Sequence, residues 1–365
     1  MNTWPCVKWL RWFVVCAVAA AAPANLAAEV KVEKTQIADG VYLFSCGPDG
    51  YVPSSNSIVI VNESDVLVYD TFTRPSAARQ VVEEIRKMTS KPVRYVVNSH
   101  WHPDHWSGNE AYAEAFPGVQ IIASEGTREH MANTMNAWPK MFRAQLKQEE
   151  TDYEKVISTG KAADGTPLTS EQRSKAEARV KRQREFTAEE LAVHRTLPTF
   201  TYFQRLTFWE GAREFQFISM TGDATETTVL YLPKEKILLT GDLFAYPEPY
   251  FTPPLSQHAA SLRKLLQMDA DVIIPTHGPA TRDKAYLKKE LALLEEIVVQ
   301  TRKAVQDGLV TVEEVQKAVN LDELLARFVG EDKGLREFED FLRLDISLMV
   351  ENAYREARDG EKFTY

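Results

Sequence analysis

The segment Asn98-Ser99-His100-Trp101-His102-Pro103-Asp104-His105-Trp106-Ser107-Gly108-Asn109 packs three histidines and an aspartate into six positions. It follows an apolar run, Val93 to Val97, that reads as a strand. On an extended chain, residues i and i+2 point to the same side, so His100 and His102 can grip one metal ion. Asp104 and His105 come where the chain turns and can face a second ion. Imidazole nitrogens with a carboxylate oxygen suit zinc, and a site with open coordination positions is what hydrolysis requires. One histidine by itself is usually a packing or surface residue. Four ligand-type side chains in HxHxDH order behind an apolar strand have no ordinary structural explanation.

Two later segments complete a pattern. Leu239-Thr240-Gly241-Asp242-Leu243-Phe244 is a strand end followed by an aspartate, and Ile273-Ile274-Pro275-Thr276-His277-Gly278-Pro279 is a strand end followed by a histidine. With the HxHxDH segment they resemble the metallo-β-lactamase superfamily, and the resemblance extends over roughly residues 30–282. It implies an α+β fold, a four-layer αββα sandwich. It further implies two zinc ions, with manganese or iron as alternatives, in which Asp242 bridges the pair and Asp104, His105 and His277 hold the second ion. The activity implied is metal-assisted hydrolysis: a hydroxide between the ions attacks an electrophilic carbonyl, sulfur or phosphorus, and Asp104 serves as the catalytic residue that orients it.

One ligand of that pattern is missing. The superfamily's remaining histidine is expected nineteen residues before the bridging aspartate and ten before the strand-ending proline. Counting back from Asp242 and from Pro233 gives Asp223 both times. His130 and His194 lie elsewhere in sequence, and His258 follows a proline-rich loop. The first site is therefore expected to be His100, His102 and Asp223, with Glu226 as the other carboxylate in range. Two zinc ions with Asp104, Asp223, Asp242 and a hydroxide come to zero formal charge, one unit below the histidine version. Weaker Lewis acidity and more tolerance of harder metals follow. The alkylsulfatase branch of the superfamily also uses carboxylates here. Sulfate esters thereby join carboxylic esters, lactones and lactams as candidate substrates, although alkylsulfatases are longer and carry a further C-terminal domain. A degenerate, non-catalytic metal-binding protein is the alternative from another class.

The elements that must position these residues follow from periodicity. Short apolar runs at Val41–Phe44, Ser57–Val61 and Val66–Tyr69 read as strands, Asp70 to Met88 has helical spacing, and Val93–Val97 closes a βαβ-like unit. Residues 126–197 are rich in Lys, Arg, Glu, Gln and Ala, with an almost wholly polar helical stretch from Glu171 to Arg184. This is a helical insertion, read as a solvated face, and a candidate lid or homo-oligomer surface. Strands resume at Thr199–Phe203, Phe215–Ile218, Val229–Leu232 and Ile237–Leu239 and end with Val272–Ile274. Residues 283–365 are a helical C-terminal extension. Trp101 and Trp106 flank the motif as packing residues. Tyr246 to Phe251 is either a pocket wall or a proline-stiffened surface loop.

Lys8 and Arg11 precede an apolar run from Trp12 to Ala22 that ends in small residues up to Ala28. A dozen apolar residues is short of the roughly 20 that span a bilayer, so residues 1–28 read as a cleaved signal peptide, and the protein as periplasmic or secreted with no stable membrane anchor. Cleavage lowers the formal charge from -9 to -11. An acidic chain argues against a nucleic-acid partner on electrostatic grounds, and the hydrolase resemblance implies a small-molecule substrate. Of three cysteines only Cys46 survives cleavage, so no internal disulfide forms, and Cys46 is expected to be buried.

Overall fold

A computed structural model describes residues 31–46, 55–133, 138–161, 165–247, 249 and 254–360. The expected signal peptide and most of Glu248 to Phe251 lie outside these residues. Two sheets face each other. The first runs in strand order β1 (Val32–Ala38), β2 (Val41–Cys46), β3 (Ser55–Val61), β4 (Val66–Tyr69), β5 (Val93–Val97), β6 (Gln120–Ser124) and β7 (Phe200–Tyr202). It is antiparallel through β4 and parallel beyond. The second contains β8 (Arg205–Glu210), β9 (Arg213–Met220), β10 (Thr227–Leu232), β11 (Ile237–Leu239) and β12 (Val272–Ile274), antiparallel except where β11 meets β12.

Strand character tracks burial. All four residues of β4 are buried because both faces are covered, so it reads as an unbroken apolar run, whereas β8, covered on one face, alternates. Between the sheets Leu43, Ile58 and Tyr69 meet Phe215, Phe217 and Leu230. The outer face of the first sheet is closed by α1 (Pro75–Met88) and α2 (Asn109–Ala115), through Val81, Ile85 and Tyr112 against Val59 and Val68. The outer face of the second is closed by α6 (Leu255–Gln267), α7 (Ala285–Gln306), α8 (Val312–Ala318), α9 (Leu321–Val329), α10 (Lys333–Glu337) and α11 (Glu339–Asp359). Leu238 and Ile273 are buried there with Leu262, Leu294 and Ile346. The result is the expected αββα sandwich. Among the described residues no helix is long and apolar enough to cross a membrane.

Four expectations change. Helix α1 starts at Pro75 and not at Asp70, because Asp70 and Phe72 adopt left-handed backbone (φ 61° and 67°) that a helix cannot contain. Strand β8 was hidden in an alternation of Arg205, Thr207 and Trp209 with Leu206 and Phe208. The polar stretch belongs to α5 (Ser170–Ala192), and it is not solvated all round. Ala176, Val180, Gln183 and Phe186 form a buried stripe, and α5 pairs with α4 (Trp138–Thr159) through Arg184 to Glu150 and Glu154 and through Arg179 over the Tyr153 ring. Cys46 is half-buried, at the end of β2.

The C-terminal helices are thus the outer layer of the second sheet. Leu294→Ala, at a fully buried position of that layer, is expected to lower the unfolding free energy by about 2–5 kcal/mol in a chemical denaturation series.

Candidate metal centre

Four loops bring the chemistry together at one end of the sheets. The first leaves β5 and is pinned by two facing amides. Asn98 Nδ2 donates to the His105 carbonyl (3.1 Å) and to Asn109 Oδ1 (3.0 Å), while Asn109 Nδ2 returns a bond to Asn98 Oδ1 (2.9 Å). Pro103–His105 forms a single 3-10 turn. The Thr71 N–H donates to the His105 carbonyl (3.0 Å), and Gly108 packs so closely that a Cβ there would sit 2.1 Å from the Thr71 oxygen. The second loop, 221–226, joins β9 to β10 and carries Asp223. The third is a 3-10 turn, Gly241–Leu243, entered through Gly241 at φ 58°, where a side chain would strike Thr227 and Ser99. The fourth follows β12, and Asn56 Nδ2 holds it by donating to the carbonyls of Pro275 (2.8 Å) and Gly278 (2.7 Å).

These loops gather all seven expected side chains into two groups, His100, His102, Asp223 and Asp242, and Asp104, His105, Asp242 and His277. Within each group one donor atom per residue lies within 4.8 Å of the others. In the first, His102 Nδ1 is 2.8 Å from His100 Nε2 and 2.9 Å from Asp223 Oδ2. His100 Nε2 is 3.6 Å from Asp223 Oδ2 and 3.7 Å from Asp242 Oδ2. In the second, Asp104 Oδ2 lies 3.2 Å from His105 Nε2 and 3.1 Å from His277 Nε2, and Asp242 Oδ2 lies 3.3 Å from both. One oxygen, Asp242 Oδ2, is common to the two.

A second layer orients the first. Asp70 accepts from the Ser99 N–H (2.7 Å), from Ser99 Oγ (2.7 Å) and from His105 Nδ1 (2.9 Å). Placing the proton on Nδ1 turns the lone pair of Nε2 toward the centre, the arrangement that metal-ligating histidines commonly show. His100 Nδ1 is engaged with Ser99 Oγ (3.0 Å), which likewise frees Nε2. Thr276 Oγ1 donates to Asp242 Oδ1, leaving Oδ2 for the cluster. Neither Asp70 nor Thr276 was identified from sequence; the available signals were the acid ending an all-apolar strand and the hydroxyl beside His277.

The electrostatics call for a cation. Burial opposes the charge of Asp242, yet His277, His105 and His100 hold its carboxyl well below the usual range; Asp104, also against burial, is lowered by His105 and His277. In return, and again against burial, Asp104 and Asp242 raise His105 far above the ordinary imidazole value, Asp242 and Asp104 raise His277 to about 10, and Asp223 raises His102. Burial, with His105 and His102 adding to it, keeps His100 neutral. His105 Nε2 is sealed from solvent and faces the Asp104 and Asp242 oxygens at 3.2 and 3.3 Å without a well-aligned hydrogen bond among the described residues. Carboxylates that among the described residues are neutralised by protonated imidazoles, gathered in two donor groups, fit divalent metal ions.

Glu226 does not share this role. Its carboxylate accepts the Gly126 N–H (3.0 Å) at the start of α3 (Glu125–Asn133). His258 is fully buried in α6 and donates through Nε2 to the Leu243 carbonyl (3.0 Å), a structural contact. His130 stacks on Trp101 (5.6 Å between centroids), and His194 is exposed. Trp101 and Trp106 pack with Met131 and Ala224, with Trp106 Nε1 bonded to the Trp101 carbonyl (2.9 Å).

The profile described as metallo-beta-lactamase superfamily matches residues 50–277, more than half of the sequence. The chain belongs to the metallo-beta-lactamase superfamily. Members of that superfamily are generally hydrolases, and they typically bind metal ions. A linear primary-alkylsulfatase from Pseudomonas sp. (strain ATCC 19151) is 25% identical over 297 residues, covering 75% of this chain and 51% of the relative. A hydroxyacylglutathione hydrolase from Gloeobacter violaceus is 33% identical over 73 residues, 20% of this chain and 29% of the relative. The chain thus spans about half the length, or less, of the curated relatives it matches. A solved metallo-beta-lactamase from Pontibacter korlensis superposes with a TM-score of 0.51 at 20% identity, covering 73% of this chain and 99% of that one, a likeness of fold.

Two outcomes follow from the geometry. Asp70→Asn removes the anion that fixes His105 and is expected to weaken metal affinity about 10–100-fold in a competition titration with a chelator. In the metal-free protein at pH 8 His277 lies below its raised value of about 10 and carries a proton, whereas a ligating imidazole must be neutral. Metal uptake at pH 8 should therefore release protons, and apparent affinity should rise with pH. Calorimetry in two buffers of different ionisation enthalpy reads this directly, and uptake without proton release would remove His277 from the ligand set.

Proposed function

We propose that this protein is an exported two-metal hydrolase, with zinc as its metal, acting on ester-type bonds and on primary alkyl sulfates first among them. The observation that carries the reading is the position of Asp242 Oδ2, within 3.7 Å of imidazole nitrogens in both donor groups. His100, His102 and Asp223 would hold one ion and Asp104, His105 and His277 the other, with Asp242 shared. When bound, such a pair supplies Lewis acidity and lowers the pKa of water. The protein's own part is to hold the donors in place: Asp70 and Ser99 orient His105 and His100, Thr276 orients Asp242, and the Trp101–Trp106 packing fixes the loop that bears four of the seven side chains.

Asp223 supports the substrate class. A carboxylate in place of the superfamily's histidine lowers the charge of the loaded centre by one unit, and the primary-alkylsulfatase relative matches three quarters of the chain. The match covers 51% of that longer relative, so a shared substrate is a proposal for this chain.

Metal analysis of the purified protein, combined with a panel of decyl sulfate, a carboxylic ester, a lactone and a β-lactam, tests the reading. Two equivalents of metal, sulfate release from decyl sulfate and its loss in Asp242→Ala are expected. Negligible metal would overturn it in favour of a non-catalytic protein, and turnover confined to the lactam would overturn the substrate class. Asp223→His should move the acid limb of the pH–rate profile to lower pH, because the added positive charge lowers the pKa of bound water. An unchanged profile and unchanged metal content would exclude Asp223 from the centre.

A further inference from the structure

The outer helix layer ends before the second sheet does, for Arg205, Thr207 and Trp209 on the outer face of β8 are exposed. At that step a cavity of about 570 Å³ opens between the start of β8, the outer face of β9 and β10, and the end of α6. Its volume is that of a small-molecule site. The floor is apolar, made by Ile218 and Met220 of β9, Tyr231 of β10 and Met268 just past α6. Met220 belongs to the core beneath the outer helices, and the half-buried Ile218, Tyr231 and Met268 pack against that core.

Two cations line this cavity, Arg205 from β8 and Lys264 from the last turn of α6, and no acid does. Other cations of this part of the fold are paired: Arg263 with Glu295 (2.7 Å) and Lys236 with Asp269 (2.9 Å). Arg205 and Lys264 have no side-chain hydrogen bond or ion pair among the described residues. The acids bonded to the lining are already engaged. Asp269, whose carbonyl accepts from the Tyr231 hydroxyl (2.7 Å), is the one held by Lys236, and Glu214 accepts from Gln216 Nε2 (2.7 Å). The turn into β8 fixes the cationic rim. Gln204 adopts left-handed backbone (φ 55°), uncommon for a residue with a side chain, its carbonyl accepts the Ser219 N–H (2.8 Å), and Arg205 is thereby set opposite Ile218. On a chain of formal charge -9, a hollow with an apolar floor, two uncommitted cations and no lining acid selects by charge and by shape.

We propose that this cavity is a second ligand site, one that takes an amphiphilic monoanion. Arg205 and Lys264 meet its sulfate, sulfonate or carboxylate group, and its alkyl chain lies over Ile218, Met220, Tyr231 and Met268. None of the seven donor side chains of the metal centre lines the cavity, so the two sites are separate. They are joined through the chain, since β9 runs from the cavity floor directly into the loop that bears Asp223. The alkyl sulfates proposed above belong to this ligand class, but the site does not depend on their hydrolysis.

Calorimetry with decane-1-sulfonate, kept below its critical micelle concentration, compares the metal-loaded full-length protein with Arg205→Gln, Lys264→Gln, the double variant and Asp242→Ala. Affinity is expected to fall about 10-fold in each single glutamine variant, the scale of one hydrogen bond to a charged group, and further in the double variant. It should persist in Asp242→Ala, which disables the metal centre. Decanoate should follow the same pattern, and decyltrimethylammonium, with the same chain and the opposite charge, should not displace the sulfonate. The proposal is overturned if the wild type does not bind, if the double variant binds as the wild type does, or if decyltrimethylammonium competes equally. Binding abolished in a folded Asp242→Ala also overturns it, because the anion would then sit at the metal centre. If Asp242→Ala does not fold, the double variant decides, since both of its positions are exposed. No turnover is needed, so a protein inactive toward every ester would count against the hydrolase reading and leave this result standing.

Discussion

The structure is organised around one buried carboxylate. Asp242 sits at 3% exposure, one oxygen satisfied by Thr276 and the other turned toward His100, His105 and His277. A negative charge in such a place is tolerated only if positive charge meets it at short range. Asp104 and Asp223 add to the demand. Without a metal, protons on the imidazoles are the neutralising charge at hand, which explains why His105 and His277 bind them so tightly. The same donors suit divalent metal ions, which would supply that positive charge without protons.

The rest of the fold serves this geometry. Each donor lies at the end of a strand or on the loop that follows one, and the two sheets, clamped by the aromatic and aliphatic layer between them, give those ends fixed separations. Loop conformations are then set by short-range devices: the paired amides of Asn98 and Asn109, the left-handed residues at Asp70, Phe72 and Gly241, and the hold of Asn56 on both sides of His277. Asp70 has a double role, since its backbone turns the chain away from β4 while its carboxylate fixes the tautomer of His105. The Trp101–Trp106 packing joins this shell to the insertion, whose chain just past α5 packs against it through Val193 and Leu197.

The helices beyond the sandwich divide into two kinds. The C-terminal ones cover the second sheet, and without them Leu238 and Ile273 would face water. The α4–α5 hairpin is attached differently: α5 pairs with α4 through Arg184 and Arg179, and near its end Glu189 is held by Arg74 and the Ser76 N–H.

Much of the centre was legible along the chain because metal ligation imposes residue types that few other tasks require. The HxHxDH spacing, the aspartate after β11 and the histidine after β12 pointed to six of the seven side chains, and counting back to a missing histidine led to the seventh, Asp223. The strands of the inner layers and the helical ends were likewise visible in period and composition. Tertiary structure alone decided the choice between Asp223 and Glu226, since two carboxylates three residues apart look alike until one is committed to Gly126. It also decided the start of α1, the pairing of β8, and the supporting roles of Asp70 and Thr276. Those depend on which groups meet across tens of residues and on backbone signs at single positions, and neither leaves a local pattern in the order of the amino acids.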